Sequence, residues 1–475
     1  MKNNLLRIVF SSGLQAVAAQ VLGMVFFYVV AGYMSKDDFG VISWANAAAV
    51  MLTTLLSFGM DQVVVRRIAT SKTSEWTAAA YLVHAFFGSV IMFLLLMLYR
   101  SLTPADTDKV AYLPWFFAAQ ALIFTGAPLK HFLNAKQRFG PYGVIATLSN
   151  IFKITIAAWL ISRNNLSLTT VVGIMILCGV FELASLFVFV LRKSDLSLRF
   201  RSKAYFGLIK ESLPQYVSVI FDSSLSRMDW FLLGILATSA ATAEYSIASR
   251  AFEISRLPLS VIAPILLARF APMLSMGGQL NDNKQKLIKD LFRLEMFAIF
   301  LIPLIANILW TPVVEYFFKG KYGAVNANQF MLLSICLPMQ FFINLLWTLS
   351  FCGKKYRQVT AITIYSALIN VVLSIIMIRV FHLGGLGTAI SFLITTFLQM
   401  LGYYMLVRKT LMIVPVRHFF AFLVLAAACY YIAVTVSQYI YLQLPVAVGL
   451  YVISYLALKL VRGRHIEVAK TFIRK

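Results

Sequence analysis

The chain contains 475 residues, of which 60% are hydrophobic and only 13% charged, and 42 basic against 18 acidic side chains give a formal net charge of +24. Soluble domains carry roughly 25% charged residues, so this composition excludes a soluble protein. The basic residues lie between apolar runs rather than on one exposed face, which excludes a nucleic-acid-binding protein.

Apolar runs separated by charged breaks recur along the whole chain and predict membrane-spanning helices of about 20 residues each. The first run follows Lys2 and Arg7 and is too long for the core of a signal peptide, so we expect an uncleaved first span. The predicted spans number fourteen: 8–34, 41–65, 77–99, 111–133, 142–162, 168–191, 213–237, 244–268, 294–314, 327–350, 358–380, 385–407, 417–437 and 443–461.

The basic residues predict the orientation of these spans. Of the 42, 31 fall on one side of the membrane, 7 on the other and 4 inside spans. Lysine and arginine accumulate in cytoplasmic loops, so both termini are expected in the cytoplasm. The longer loops, at 192–212 and 269–293, are on the basic side and have the composition of amphipathic interfacial helices.

No sequence motif indicates an enzyme. The chain contains no phosphate-binding GxxxxGK[ST] loop, no HExxH, no nucleophile elbow and no acidic cluster with metal-ligand spacing. Its four cysteines show no CxxC spacing and are expected to pack as small apolar residues. The sequence therefore predicts no catalytic residue, no cofactor and no metal site.

Two pairs of weakly similar segments, each pair six spans apart, indicate an internal repeat. Residues 40–45 (GVISWA) are similar to 243–248 (AEYSIA), and 135–138 (AKQR) to 353–356 (GKKY). A repeat with matching orientation predicts an all-α polytopic membrane protein with two pseudo-symmetric six-helix lobes and two further C-terminal helices. The expected boundaries are an N-lobe at 1–191, an amphipathic linker at 192–212, a C-lobe at 213–410, and spans thirteen and fourteen with a cytoplasmic tail at 411–475.

Three stretches carry a resemblance to a known family. They are 31–41 (AGYMSKDDFGV), 59–67 (GMDQVVVRR), and the run from 227–234 (RMDWFLLG) to 244–253 (EYSIASRAFE), where Ala243 stands at a position usually held by glycine. In these features the chain resembles the Wzx-type polysaccharide and O-antigen flippases of the multidrug/oligosaccharidyl-lipid/polysaccharide exporter superfamily.

The resemblance implies a secondary transporter of the bacterial inner membrane. Such a protein flips undecaprenyl-diphosphate-linked oligosaccharide repeat units from the cytoplasmic to the periplasmic leaflet, by alternating access coupled to a proton or sodium ion. Its product would feed the biosynthesis of surface polysaccharide such as O-antigen, which implies a polysaccharide polymerase and a chain-length regulator as pathway partners.

Charged residues inside spans mark candidate binding sites, because each costs at least about 2.5–3.5 kcal/mol at mid-helix without a partner. Asp222 and Asp229 lie on one face of span seven, with Arg227 roughly opposite. On span eight, Arg250, Glu253 and Arg256 follow at three-residue intervals.

Two interpretations of this group remain open. Arg227–Glu253 and Asp229–Arg250 could be ion pairs that only hold two helices together. Alternatively, the arginines could form a cationic surface for the diphosphate, which a guanidinium binds in bidentate fashion, while the carboxylates bind a coupling ion.

The first lobe offers a smaller set. Lys153 on span five and Glu182 on span six are an expected pair, either structural or binding. Asp61 and His84 are expected to face each other near the inner ends of spans two and three, and Lys130 and His131 are expected to snorkel toward the interface. The predicted substrate-binding residues are thus Arg250, Arg256, Arg227 and Lys153, and the predicted ion-coupling residues are Asp222, Asp229, Glu253 and Glu182.

Two other functions compete with the flippase interpretation. A MATE-like, cation-coupled drug exporter would have a net acidic cavity, whereas the charges inside these spans are mixed. A polytopic polysaccharide polymerase or ligase would need a sizeable outer loop with catalytic residues, and every predicted outer connection is short.

Overall fold

The computed structural model describes residues 2–70, 74–103, 108–193, 199–259, 282–353, 355–408, 416–458 and 460. Within these ranges the chain is helical and contains no strand. The helices are α1 (Lys2–Tyr33), α2 (Lys36–Leu56), α3 (Met60–Thr70), α4 (Ser74–Leu102), α5 (Asp108–Ala135), α6 (Phe139–Ser162), α7 (Leu168–Lys193), α8 (Ser202–Leu236), α9 (Ser239–Ser255), α10 (Asp282–Phe318), α11 (Ala327–Cys352), α12 (Tyr356–Arg379), α13 (Gly384–Arg408), α14 (Val416–Val436) and α15 (Ile440–Ala457).

Most of these helices are long and apolar enough to cross a membrane. Among the described residues, eleven helices meet both conditions, and the second half of α1, Val17–Tyr33, is a shorter apolar segment. The chain is therefore an all-α, multi-pass membrane protein, as the sequence predicted. Predicted span eight coincides with α9 as far as Ser255, and its end at 260–268 lies outside the described residues.

The second predicted span is two helices rather than one. Phe58 and Gly59 have φ angles of 51° and 69°, so the backbone enters the left-handed region and the helical hydrogen-bond ladder is interrupted. A Cβ on Gly59 would lie 2.7 Å from the backbone nitrogen of Tyr216, and the rings of Phe58 and Tyr216 stack at 4.3 Å. At this turn α8 approaches the chain too closely for a side chain at position 59.

Helix α8 begins earlier than the seventh predicted span. Its 35 residues correspond to about 52 Å, well beyond the roughly 30 Å of hydrocarbon. Residues 202–212, expected to form part of an interfacial linker, are instead the first turns of this continuous helix.

The chain divides into two compact units, residues 1–246 (unit 1) and 247–475 (unit 2). In unit 1, α5 is central and packs against α2, α3, α4 and α7, while α8 packs against α2, α3 and α4. Close approach of α5 and α7 depends on Gly179, where a Cβ would lie 3.2 Å from the carbonyl oxygen of Ala119. The lobe boundaries expected from the sequence stay a prediction.

Equivalent positions of the two similar segments meet inside unit 1. Ser246 Oγ lies 3.0 Å from Ser43 Oγ, and both serines are fully buried. In the repeat expected from the sequence, these two serines occupy the same position. The hydrogen bond therefore joins the two segments at matching residues.

In unit 2, α11 packs against α10 and α13, and α14 and α15 pack against each other and against α10. The rings of Trp310 and Phe330 stack at 3.8 Å, and Trp310 Nε1 donates to Asn326 Oδ1 at 3.1 Å. Tyr451 donates its hydroxyl proton to the carbonyl oxygen of Phe297 at 2.8 Å, which attaches α15 to α10.

Candidate functional site

Unit 1 contains a polar cavity of about 350 Å³ among α2, α3, α5, α6 and α7. Its wall includes an acid on α3, a lysine, a histidine and a glutamine on α5, and an acid on α7. These residues are Asp61, Lys130, His131, Gln120 and Glu182. A cavity with charges of both signs inside a membrane protein is a candidate functional site.

The break between α2 and α3 places Asp61 in the first turn of α3, where it turns toward α5 and α4. Its Oδ1 accepts a hydrogen bond from the Tyr81 hydroxyl at 2.5 Å and lies 2.9 Å from His131 Nε2. Tyr81 is fully buried, whereas the Asp61 side chain is 42% exposed toward the cavity. The carboxylate thus links three helices at the wall of the cavity.

The pair of Asp61 and His84 expected from the sequence is wrong. His84 Nε2 lies 2.7 Å from the carbonyl oxygen of Leu56, and its Nδ1 lies 3.1 Å from the Tyr205 hydroxyl. His84 therefore connects the end of α2 with α8, and His131 on α5 takes the place next to Asp61.

Lys130 and His131 were expected to snorkel, but both line the cavity. The Lys130 ammonium lies 4.5 Å from the centre of the Tyr142 ring, in a cation–π contact. Across the cavity, Glu182 is buried and interacts electrostatically with Lys130. The wall of the cavity therefore contains the cationic side chain of Lys130 and the carboxylates of Asp61 and Glu182.

The expected pair of Lys153 and Glu182 interacts through space. The contact made by the Lys153 ammonium is a hydrogen bond of 3.3 Å to Asn150 Oδ1, one turn away on α6. Asn150 in turn donates its Nδ2 to the carbonyl oxygen of Ala19 on α1 at 2.9 Å. Lys153 is therefore positioned by an amide that also joins α6 to α1.

The candidate residues of α8 lie in different surroundings. Asp229 is buried and accepts a hydrogen bond of 3.0 Å from the Tyr245 hydroxyl. The Arg227 guanidinium lies 5.1 Å from the centre of the Trp230 ring, and Asp222 is exposed. The sequence indicated the burial of Asp229 but not the tyrosine that satisfies it.

The remaining candidates belong to unit 2. Arg250 is buried, with 4% of its surface exposed, and Glu253 is half-buried on the same helix. Arg256 follows the end of α9, with its guanidinium 5.5 Å from the centre of the Phe252 ring. The ion pairs Arg227–Glu253 and Asp229–Arg250 stay predictions.

A second cavity, of about 340 Å³, lies in unit 2 among α10, α11 and α14. Its lining is apolar except for an asparagine and two tyrosines. Asn307 directs its Nδ2 away into hydrogen bonds with the carbonyl oxygen of Pro303 and with Ser334 Oγ, both at 2.7 Å. The two cavities are of similar size, but the wall of the unit 1 cavity contains charged residues and the wall of the unit 2 cavity does not.

Sequence reasoning missed Asp61, Tyr81 and His131 as a group. The signal that could have identified this group is the presence of an acid, a tyrosine and a histidine near the same end of spans two, three and four. The described helices and the charged cavity among them define a multi-pass membrane protein with a candidate binding site in unit 1.

The family described as "Polysaccharide biosynthesis protein" matches residues 5–277, more than half of the chain. The chain therefore belongs to this family. No curated protein matches the sequence.

Several solved structures share the fold at low sequence identity. The lipid II flippase MurJ in an inward closed conformation is 14% identical with a TM-score of 0.76, covering 94% of this chain and 99% of that one. An inward-facing multidrug resistance MATE family transporter is 15% identical with a TM-score of 0.67, covering 82% and 94%. A superfamily transporter from Pyrococcus furiosus is 14% identical with a TM-score of 0.60, covering 85% and 95%.

Proposed function

We propose that this protein flips undecaprenyl-diphosphate-linked oligosaccharide repeat units from the cytoplasmic to the periplasmic leaflet of the bacterial inner membrane. The observation that carries the proposal is membership of the polysaccharide biosynthesis family over residues 5–277. The fold shared with a lipid II flippase supports it. The product would supply surface polysaccharide such as O-antigen, with a polymerase and a chain-length regulator acting afterwards.

The proposed substrate carries a diphosphate, so its path through the membrane needs cations. The candidates are Arg250, Arg256, Arg227 and Lys153. Arg250 is the strongest, because its burial removes the guanidinium from water and a low local dielectric strengthens its attraction for an anion. A guanidinium also binds two phosphate oxygens at once and keeps its charge throughout the pH range of a cell.

Transport against a gradient needs a coupling ion, a proton or a sodium ion, in an alternating-access cycle. Asp222, Asp229, Glu253 and Glu182 are the proposed coupling carboxylates. Glu182 has the most direct support, because it is buried in the wall of the unit 1 cavity and interacts with two lysines, Lys130 and Lys153. The 31-to-7 distribution of basic residues supports cytoplasmic termini.

Deletion of the gene in its host tests the substrate class. We expect loss of surface polysaccharide, with lipid-linked repeat units accumulating on the cytoplasmic leaflet, and restoration of display by a plasmid copy. The fold shared with MATE transporters makes drug export the second candidate. Normal surface polysaccharide combined with lost drug efflux would establish export and overturn the flippase proposal.

Substitution of Arg250 tests the proposed anion site. We expect Arg250→Ala to abolish polysaccharide display while the protein still accumulates, and Arg250→Lys to retain part of the activity, since an ammonium keeps the charge but loses the bidentate geometry. Arg379→Ala is the matched control, because Arg379 is exposed at the end of α12. Normal display by a well-expressed Arg250→Ala variant would remove this residue from the site.

A further inference from the structure

We infer that His131 and Asp61 form the site at which this transporter binds and releases a proton, and thus that a proton is its coupling ion. The inference rests on the proposed function in one respect, the coupling of transport to an ion gradient. The binding site itself is argued from the geometry of the unit 1 cavity.

The geometry concentrates two hydrogen-bond donors on one carboxylate oxygen. Asp61 Oδ1 faces the Tyr81 hydroxyl at 2.5 Å and His131 Nε2 at 2.9 Å. Nε2 must carry a hydrogen when it donates to an ionised Asp61, which leaves Nδ1 as the acceptor nitrogen of the neutral ring. The structure gives His131 no hydrogen bond other than that to Asp61 within the described part of the chain, so Nδ1 can take a proton from the cavity.

The proton step follows from this arrangement. In the empty state, a neutral imidazole donates its Nε2 hydrogen to the Asp61 carboxylate. A proton that enters along the cavity binds the lone pair of His131 Nδ1, and the product is an imidazolium ion paired with Asp61. The reverse transfer returns the proton to water, and the charge of the cavity changes by one unit in each direction.

Other charged and titratable groups surround this pair. Those on the elements packed around it include Lys130 on α5, Glu182 on α7, Tyr142 and Lys153 on α6, Tyr81 and His84 on α4, Arg66 and Arg67 on α3, and Tyr205, Lys210, Glu211 and Tyr216 on α8. Of these, Lys130 and Tyr81 interact electrostatically with Asp61. Glu182 lines the same cavity and compensates the charge of Lys130.

The chemistry of the pair favours a proton over a sodium ion. A hard metal cation is bound by several oxygen ligands, whereas Asp61 Oδ1 already accepts a hydrogen bond from a tyrosine hydroxyl and lies within hydrogen-bond distance of an imidazole nitrogen. Histidine is the side chain whose charge changes most readily between pH 5 and 8. The pair is therefore suited to exchange protons with water on either side of the membrane.

The position of Asp61 connects proton binding to the short helix α3, which contacts α8. It lies in the first turn of α3, directly after the turn at 57–59 with its two left-handed residues. On the same helix, Arg66 and Arg67 bind the Glu211 carboxylate of α8. We therefore expect a change in the hydrogen bonds of Asp61 to affect α3, the short helix whose arginines bind α8.

Nuclear magnetic resonance of the purified, [15N]histidine-labelled protein tests proton binding directly, because the chain contains five histidines. His131→Gln identifies the signal of His131. We expect Asp61→Asn to lower the proton affinity of His131 about tenfold or more, because an opposite charge at this distance stabilises the imidazolium. His84→Gln is the matched control and should leave the His131 titration unchanged.

Tyr81→Phe provides a second variant with a small change in volume. Removing its hydrogen bond leaves the Asp61 carboxylate more available to His131, so the proton affinity of His131 should rise a few-fold. A titration of His131 that is the same in wild type, Asp61→Asn and Tyr81→Phe would overturn the proton site.

Transport by reconstituted vesicles separates this inference from the proposed function. With undecaprenyl-diphosphate-linked oligosaccharide as the probe, an imposed proton gradient should accelerate flipping by wild type and His84→Gln but not by His131→Gln. A wild-type protein that flips none of this lipid would overturn the proposed function, whereas flipping by His131→Gln that still follows the proton gradient would overturn the coupling role of His131.

Discussion

The two ends of unit 1 hold α8 and its neighbours in different ways. At one end, the start of α2 meets the loop and helix that follow α8 through small residues, and a Cβ on Gly40 would overlap the carbonyl oxygen of Ser239. At the other end, the basic end, Arg66 and Arg67 of α3 both bind Glu211 of α8, and Arg67 Nη2 donates to the carbonyl oxygen of Gly207 at 3.0 Å.

The contrast indicates which end can separate during transport. At the glycine end the backbones are in direct contact, and their packing acts only over a short range. All of this packing energy is lost when the backbones move apart. When the basic end separates, water replaces the contacts between the carboxylate and the two guanidiniums. The net free-energy cost is modest, because the arginines here are partly exposed. We therefore expect the basic end to open more readily than the glycine end.

The largest effect should come from enlarging a residue of the glycine end. Gly40→Ala places a methyl group against backbone atoms that cannot rotate away, and we expect a loss of more than about 3 kcal/mol and little protein in the membrane. Gly173→Ala is the matched control, because no atom lies within 4 Å of its Cβ position. Membrane immunoblots compare the two, and equal accumulation would contradict the close contact.

The helices of this fold are predictable because continuous apolar runs determine membrane spans. The break in the second span is not, since the close approach of Tyr216 from α8, which excludes a side chain at position 59, is a tertiary contact. The same break sets the direction of Asp61, whose partner His131 lies 70 positions along the chain. The sequence therefore indicates which charges lie in the membrane, and the tertiary structure decides which of them meet.

The second prediction loosens the basic end. Glu211→Gln leaves Arg66 and Arg67 without their anion while the side chain keeps its shape, so we expect a loss of about 1–2 kcal/mol. The thermal midpoint of the purified protein should fall by a few degrees and depend less on salt than that of wild type. A cysteine introduced at exposed Gln62 near this contact should also react faster with a water-soluble maleimide.

Lys210→Gln is the control for that variant, because Lys210 is the exposed neighbour of Glu211 on α8. It changes the local charge by one unit in the opposite direction, without touching the contact of Glu211 with the two arginines. Shifts of similar size but opposite sign in thermal midpoint and labelling rate would show that net charge, rather than the contact, holds the basic end together.

The smallest effect is expected for the one ion pair described at the glycine end. Lys36 Nζ lies 2.7 Å from Glu244 Oε1, with the two side chains 29% and 18% exposed. Partial exposure weakens the attraction, and the backbone contact beside it persists without the charges, so we expect a coupling energy of about 0.5–1 kcal/mol. A double-mutant cycle with Lys36→Met, Glu244→Gln and the combined variant, measured from thermal unfolding, isolates this energy. A coupling as large as the loss in Glu211→Gln would mean that charges hold both ends equally, and the distinction between a permanent and an opening end would fail.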